Sequence, residues 1–116
     1  MINTIAVYGS LKKGRYNHPM MDGSKFLGTV ELPGKLYAVS SYPALVEGGD
    51  KTHVAELYEV PDHVFDMVDR MEIGAGYKRM DVTVECDGET RVAGAYYAGP
   101  SLAKFCEEHR KEIEKY

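Results

Sequence analysis

Three short stretches hold the residue types that could do chemistry. The first is Tyr8-Gly9-Ser10-Leu11. A glycine at that point lets the backbone turn sharply and leaves the N–H groups of Ser10 and Leu11 free to face an anion or a carbonyl oxygen. The same four residues would also suit an ordinary strand-ending turn. Gly9 and Gly14 have the outer spacing of a nucleotide-binding Walker A loop, but Arg15-Tyr16 stands where Lys-Ser/Thr would reach the phosphates, so that reading is rejected. The second stretch is Asp69-Arg70-Met71-Glu72, where Asp69 and Glu72 are three apart and share a helix face. Glu72 lies between Met71 and Ile73, and a carboxyl group in an apolar setting has its pKa raised and can act as a general acid/base. The competing reading is a solvated carboxylate, although the negative end of a helix is unfavourable for an anion. The third stretch is Tyr77-Lys78-Arg79. Arg79 shares a strand face with Tyr77 and either clamps a carboxylate or pairs with Asp81 or Glu72.

Other candidates carry less. His18, His53, His63 and His109 fall in four different elements without metal-ligand spacing, so no metal site is expected. Ser10 lacks the G-x-S-x-G context of a serine hydrolase. Cys86 and Cys106 are too far apart for a C-x-x-C element and read as unpaired small hydrophobes. The chain has nine tyrosines and no tryptophan, and Tyr96-Tyr97 places one ring on each face of a strand, so one ring points inward. Tyrosines line polar cavities because the hydroxyl finds a partner there, and they also fill cores.

The elements that must position these residues follow from pattern and punctuation. Ile2–Tyr8 reads as a strand, followed by a loop broken by Gly14, Asn17, Pro19, Gly23 and Ser24, with room for one helical turn. Phe26–Val30 and Lys35–Val39 read as strands joined through Pro33-Gly34, with a short strand at 44–46 before Gly48-Gly49-Asp50. Thr52–Val60 alternates as a strand should. Pro61-Asp62 opens a helix whose apolar stripe is Val64, Phe65, Val68 and Met71, ending near Ile73-Gly74. Tyr77–Cys86 and Thr90–Ala98 form a hairpin around Asp87-Gly88, a type I′ signal. Ser101 is placed to cap a last helix, with Leu102, Phe105, Cys106, His109 and Ile113 as its buried stripe. This order predicts an α+β fold, a small curled sheet or β-barrel with a central helix and a C-terminal helix.

Composition narrows the class. The chain has 116 residues, 44% hydrophobic and 28% charged, which fits one globular domain over 1–116 and excludes a disordered tail or a disulfide scaffold. No apolar run approaches the roughly 20 residues of a membrane helix. With 14 Lys+Arg against 18 Asp+Glu the net charge is -4, which argues against nucleic-acid binding, although Lys12, Lys13 and Arg15 form a local basic spot. The opening residues do not read as a signal peptide, so a cytoplasmic location is expected. Nothing in the sequence sets an oligomeric state.

Together the motifs resemble the γ-glutamylcyclotransferase-like superfamily, including γ-glutamylamine cyclotransferase and the avirulence-induced-gene-like small proteins. The resemblance runs through Val7-Tyr8-Gly9-Ser10-Leu11, Lys12-Lys13-Gly14 and Asn17, then Tyr42-Pro43-Ala44-Leu45-Val46 and Glu56-Leu57-Tyr58-Glu59-Val60, and ends with Val68-Asp69-Arg70-Met71-Glu72 and Tyr77-Lys78-Arg79. Ala55 departs from it, standing where the family usually has glycine. The resemblance implies a barrel-like α+β fold with a cavity, and an enzyme that cyclises a γ-glutamyl amine or peptide to 5-oxoproline and releases the amine or amino acid. Glu72 corresponds to the general acid/base. Tyr8, Gly9, Ser10 and Leu11 correspond to the loop cradling the glutamyl end, and Tyr77 and Arg79 to positions beside the site. The implied partner is a small γ-glutamyl substrate, with no cofactor, because the substrate's own amine is the nucleophile. The alternative is a non-catalytic protein that uses the same cavity to bind a small acidic or nucleotide-like ligand, with Arg15, Arg79 and the loop amides as anchors.

Overall fold

A computed structural model describes residues 2–116. Strand β1 (Ile2–Val7) lies in the middle of the main sheet, and its two faces show why. Ile5 and Val7 are buried on one side and Ala6 on the other, as expected of a strand covered on both faces. Strands β2 (Lys25–Pro33), β3 (Lys35–Val39), β4 (Tyr42–Val46) and β5 (Thr52–Pro61) follow, then helix α1 (Asp62–Gly74), strands β6 (Tyr77–Cys86) and β7 (Glu89–Ala98), and helix α2 (Pro100–His109). A 3-10 turn at His18–Met21 occupies the loop after β1.

The main sheet has the order β2-β5-β1-β7-β6. Its pairings are antiparallel except β1 with β7. The sheet curls until its two edges approach. The register of β2 slips between Phe26 and Gly28, and the Cys86 Sγ of β6 lies 3.4 Å from the Leu27 carbonyl of β2. A Cβ on Gly28 would meet that sulfur at 2.7 Å, so glycine is what lets the edges close. The result is the curled α+β half-barrel that the order of elements predicts. One core fills the inside of the curl around Leu57, Ala95 and Tyr97. The other packs Ile5, Val60 and Tyr96 against Val64 and Val68 of α1 and Cys106 of α2.

Several expected details take a different form. Pro33-Gly34 joins β2 to β3 as expected, but the two strands do not pair with each other. β2 pairs with β5, whereas β3 leaves the sheet and pairs with β4 as a separate two-stranded ribbon. Gly34 has φ +147°, and its N–H donates to the Lys51 carbonyl at 3.1 Å. Pro61 is the residue before α1 rather than its first helical residue. Ser101 does not cap α2. Gly99 holds that position because its N–H donates to the Gly76 carbonyl at 2.9 Å and a Cβ there would lie 2.7 Å from the same oxygen. The buried stripe of α2 is also shorter than its spacing suggests. The helix ends at His109, Cys106 is its one buried residue, and Phe105 is partly exposed. Ile113 reaches the core from the extended segment beyond the helix, where its N–H donates to the Leu36 carbonyl at 2.7 Å. The hairpin at Asp87-Gly88 has the expected geometry, with φ of 53° and 78° at its two central residues.

Candidate functional site

Where β1 ends, the chain leaves the sheet beside α1 and the β3–β4 ribbon, and a cavity of about 640 Å³ opens between them. That volume suits a small molecule. Its floor comes from Ala6 to Leu11, one wall from Ser41 to Pro43, and the other from Met71, Glu72 and Ala75 at the end of α1. Tyr77 and Tyr96 contribute rings from the neighbouring strands, and Tyr16 and Asn17 line it from the loop after β1.

The loop at the end of β1 is tightly specified. A Cβ on Gly9 would come within 3.0 and 3.1 Å of the Pro43 ring, so glycine allows the ribbon to pack against the loop. The Lys12 N–H donates to the Gly9 carbonyl at 3.1 Å. Asn17 holds Ser10 twice, its backbone N–H to the Ser10 carbonyl and its side-chain amide to the Ser10 Oγ, both at 2.9 Å. From β5, Glu56 accepts the Lys13 N–H at 2.9 Å and the Tyr58 hydroxyl at 2.9 Å. The N–H groups of Ser10 and Leu11 have no acceptor among the described residues, and both residues line the cavity. Backbone donors left free in a fixed loop are suited to a carboxylate or an oxyanion.

Glu72 sits in the last turn of α1, with Val64 and Val68 anchoring the same helix in the core. It is half-buried, and desolvation raises its pKa to about 7. Among the described residues no cation pairs with it. The sequence leaves open whether this carboxyl is solvated, and the tertiary structure takes it partly out of water. A carboxyl with a pKa near neutrality can both take and give a proton at modest cost.

The two tyrosines of the sequence-derived set use their hydroxyls inside the protein. The Tyr8 hydroxyl donates to the Tyr96 carbonyl at 2.6 Å and accepts the Leu45 N–H at 3.0 Å, so one side chain ties β1, β7 and β4 together. The Tyr77 hydroxyl donates to the Pro43 carbonyl at 2.5 Å. Burial raises both phenol pKa values, with the negative charge of Glu72 as a smaller cause. Both rings line the cavity. Arg79 stands apart from the lining. Its guanidinium donates to Asp69, not to Asp81 or Glu72, and stacks over the Phe65 ring at 4.9 Å. Tyr8, Gly9, Ser10, Leu11, Glu72 and Tyr77 thus come together in one cavity without Arg79. Ala55 is also absent from the lining. Its methyl group is fully buried in the core inside the curl.

Several lining residues have no sequence signal by composition or spacing. Ser41 and Ala75 are small residues in turns, and Tyr16 and Met71 read as ordinary surface and stripe residues. The Tyr96-Tyr97 pair did carry a signal, because adjacent strand residues face opposite ways. Tyr96 turns to the cavity and Tyr97 to the other core, where its hydroxyl donates to the Pro33 carbonyl at 2.5 Å.

Comparison with known proteins places the fold and the family. A family described as "Gamma-glutamyl cyclotransferase, AIG2-like" matches residues 5–115. A Pyrococcus horikoshii relative is 38% identical over 81 residues, covering 70% of this chain and 69% of its own. A Methanocaldococcus jannaschii relative is 35% identical over 101 residues, covering 83% of each. Both are named "Putative gamma-glutamylcyclotransferase". The crystal structure of a mouse AIG2-like protein superposes with a TM-score of 0.78 at 22% identity, covering 99% of this chain and 88% of that one, which bears on the fold alone. The family match spans β1 through α2, including the Gly9 loop and the helix end that carries Glu72. The chain therefore belongs to the γ-glutamyl cyclotransferase, AIG2-like family.

Proposed function

We propose that the protein cyclises a γ-glutamyl amine or peptide to 5-oxoproline, with Glu72 as the general acid/base. The observation that carries this reading is the placement of Glu72, half-buried and with its pKa raised to about 7, in the same cavity as the free N–H groups of Ser10 and Leu11.

The steps need no external nucleophile. The substrate's α-ammonium gives one proton to the Glu72 carboxylate, and the freed amine attacks the γ-carbonyl carbon. Holding both ends of one molecule in ring-closing geometry replaces a bimolecular encounter. The new C–N bond closes the five-membered ring, and the negative charge on the carbonyl oxygen or on the α-carboxylate is met by the loop amides. Glu72 returns its proton to the leaving nitrogen as the old C–N bond breaks. The ring nitrogen then loses a second proton through Glu72 as the lactam forms, and the released amine takes it up. The carboxyl ends as it began.

No Lys, Arg or His lines the cavity among the described residues, and Arg79 is committed to Asp69. The binding reading relies on Arg15 and Arg79 as anchors, and their absence from the lining supports the catalytic reading over it.

The test is 5-oxoproline formation from a panel of γ-glutamyl amines and peptides. The parent should form product, and Glu72→Gln, which cannot accept a proton, should lose at least about 100-fold in kcat. The rate should fall as pH drops below about 7, because only the carboxylate can take the first proton. Full activity in Glu72→Gln would remove Glu72 from this role. No product from any member of the panel would sink the reaction itself.

A further inference from the structure

Asp69 lies one turn before Glu72 on α1, and two groups from two strands converge on it. The Tyr96 hydroxyl of β7 donates to its Oδ1 at 3.0 Å, and the Arg79 guanidinium of β6 donates to the same oxygen. Arg79 and Tyr96 are themselves register partners on adjacent strands. The guanidinium is bracketed as well as paired. Phe65, one turn earlier on α1, lies under it at 4.9 Å, and Gly94 of β7 leaves the space its methylenes occupy, since a Cβ there would lie 3.2 Å from the Arg79 Cδ. Tyr96 in turn lines the cavity and accepts the Tyr8 hydroxyl at its carbonyl. Tyr96 thus links the Tyr8 hydroxyl, held at its carbonyl, to Asp69, held by its phenol, and so joins the Gly9 loop to the turn of α1 that precedes Glu72.

We propose that Asp69 is a positioning residue, which uses its contacts with Tyr96 and Arg79 to set the rotation of α1 so that Glu72 faces the cavity. The inference rests on the acid/base reading of Glu72. α1 buries Val64 near its start and Val68 at its middle completely, while Phe65 and Met71 pack only partly against the core. Its last turn presents exposed Ile73 and Gly74 to solvent and has only the partial packing of Met71, and there the Asp69 contacts add the orientation that this packing leaves loose. An ion pair whose side chains are 37% and 22% exposed adds little stability by itself, so its value lies in direction. The titratable groups coupled to Glu72 are Tyr8 at the end of β1 and Tyr77 on β6. Both stay neutral near pH 7, so the state of Glu72 is governed by how far it is held from water.

The experiment compares Asp69→Ala, Asp69→Asn and Tyr96→Phe with the parent, reading kcat, KM and the pH limb of kcat/KM. Lys51→Ala, which breaks the remote Lys51–Glu114 pair, is the control for a lost surface ion pair. Asp69→Ala should lose roughly 10- to 100-fold in kcat with KM within about threefold. Its acid limb should move down from about 7 toward the ordinary carboxylate range as Glu72 is rehydrated. Asp69→Asn still accepts from Tyr96 and should retain an intermediate rate. Tyr96→Phe keeps the ring in the cavity and tests the same contact if Asp69→Ala does not fold. A folded Asp69→Ala or Tyr96→Phe with parent-like kcat and an unmoved limb would overturn the proposal. If even the parent forms no 5-oxoproline, it is the catalytic reading that fails. Titration of the Glu72 carboxyl carbon by NMR then still decides the positioning role: a lower pKa in Asp69→Ala supports it, and an unchanged one overturns it.

Discussion

Replacing Glu72 by Gln should stabilise the protein in mild alkali and change it much less in acid. Burial raises the carboxyl from its ordinary 4.5 to about 7, so the folded state holds this proton more tightly than the unfolded chain does. The favourable contribution of the protonated form is present in full below about 4.5 and is lost as pH rises through 7. Above that, the fold must carry a partly desolvated carboxylate with no cation paired to it among the described residues. One pKa unit corresponds to about 1.4 kcal/mol, so the full difference is roughly 3 kcal/mol. At pH 5 only a fraction of it, about 1 kcal/mol or less, has appeared. A glutamine of the same shape carries no charge at either pH. Its stability advantage over the parent should therefore widen by about 2–3 kcal/mol between pH 5 and pH 8. Urea denaturation of both proteins at the two pH values reads this directly. With a slope of about 2 kcal/mol per molar, the gap between midpoints should widen by about 1 M. A constant offset between variant and parent across that range would mean that the carboxyl titrates as a solvated one. The burial argument would then fail, and the proton-transfer argument with it.

Other substitutions test the walls of the cavity. Gly9→Ala places a methyl group against the Pro43 ring and should cost about 1–3 kcal/mol, seen as a lower Tm, with a raised KM as loop and ribbon separate. Tyr8→Phe leaves the Tyr96 carbonyl and the Leu45 N–H without their partner in a buried place, and should lose about 2–4 kcal/mol in denaturant titrations. Ala55→Gly removes a buried methyl remote from the cavity lining. It should lower stability by about 1 kcal/mol while leaving KM within twofold, and a large change in KM would show that this strand position shapes the cavity after all.

Local chemistry determined much of this protein from the sequence by itself. The apolar stripe Val64, Phe65, Val68 and Met71 specified α1 and its end near Gly74, because helical periodicity and a terminal glycine are properties of neighbouring residues. Asp87-Gly88 specified its hairpin for a similar reason, since few residues adopt the positive φ that turn requires. Gly9 and Glu72 were legible as candidates, each with a bland alternative beside it. What tertiary structure decided is where these pieces meet. Whether Glu72 is solvated depends on Tyr8, Tyr77 and the ribbon wall, which lie far from it in sequence or on other elements. For Arg79 the sequence offered Asp81 and Glu72 as partners, and the juxtaposition of β6 with α1 selects Asp69 instead. Gly34 sends β3 away from β2, and Gly99 displaces Ser101 as the cap, through contacts with Lys51 and Gly76 that no local pattern contains. Periodicity and turn chemistry act over a few residues and can be read along the chain. Burial and partner choice are set by residues that only folding brings together.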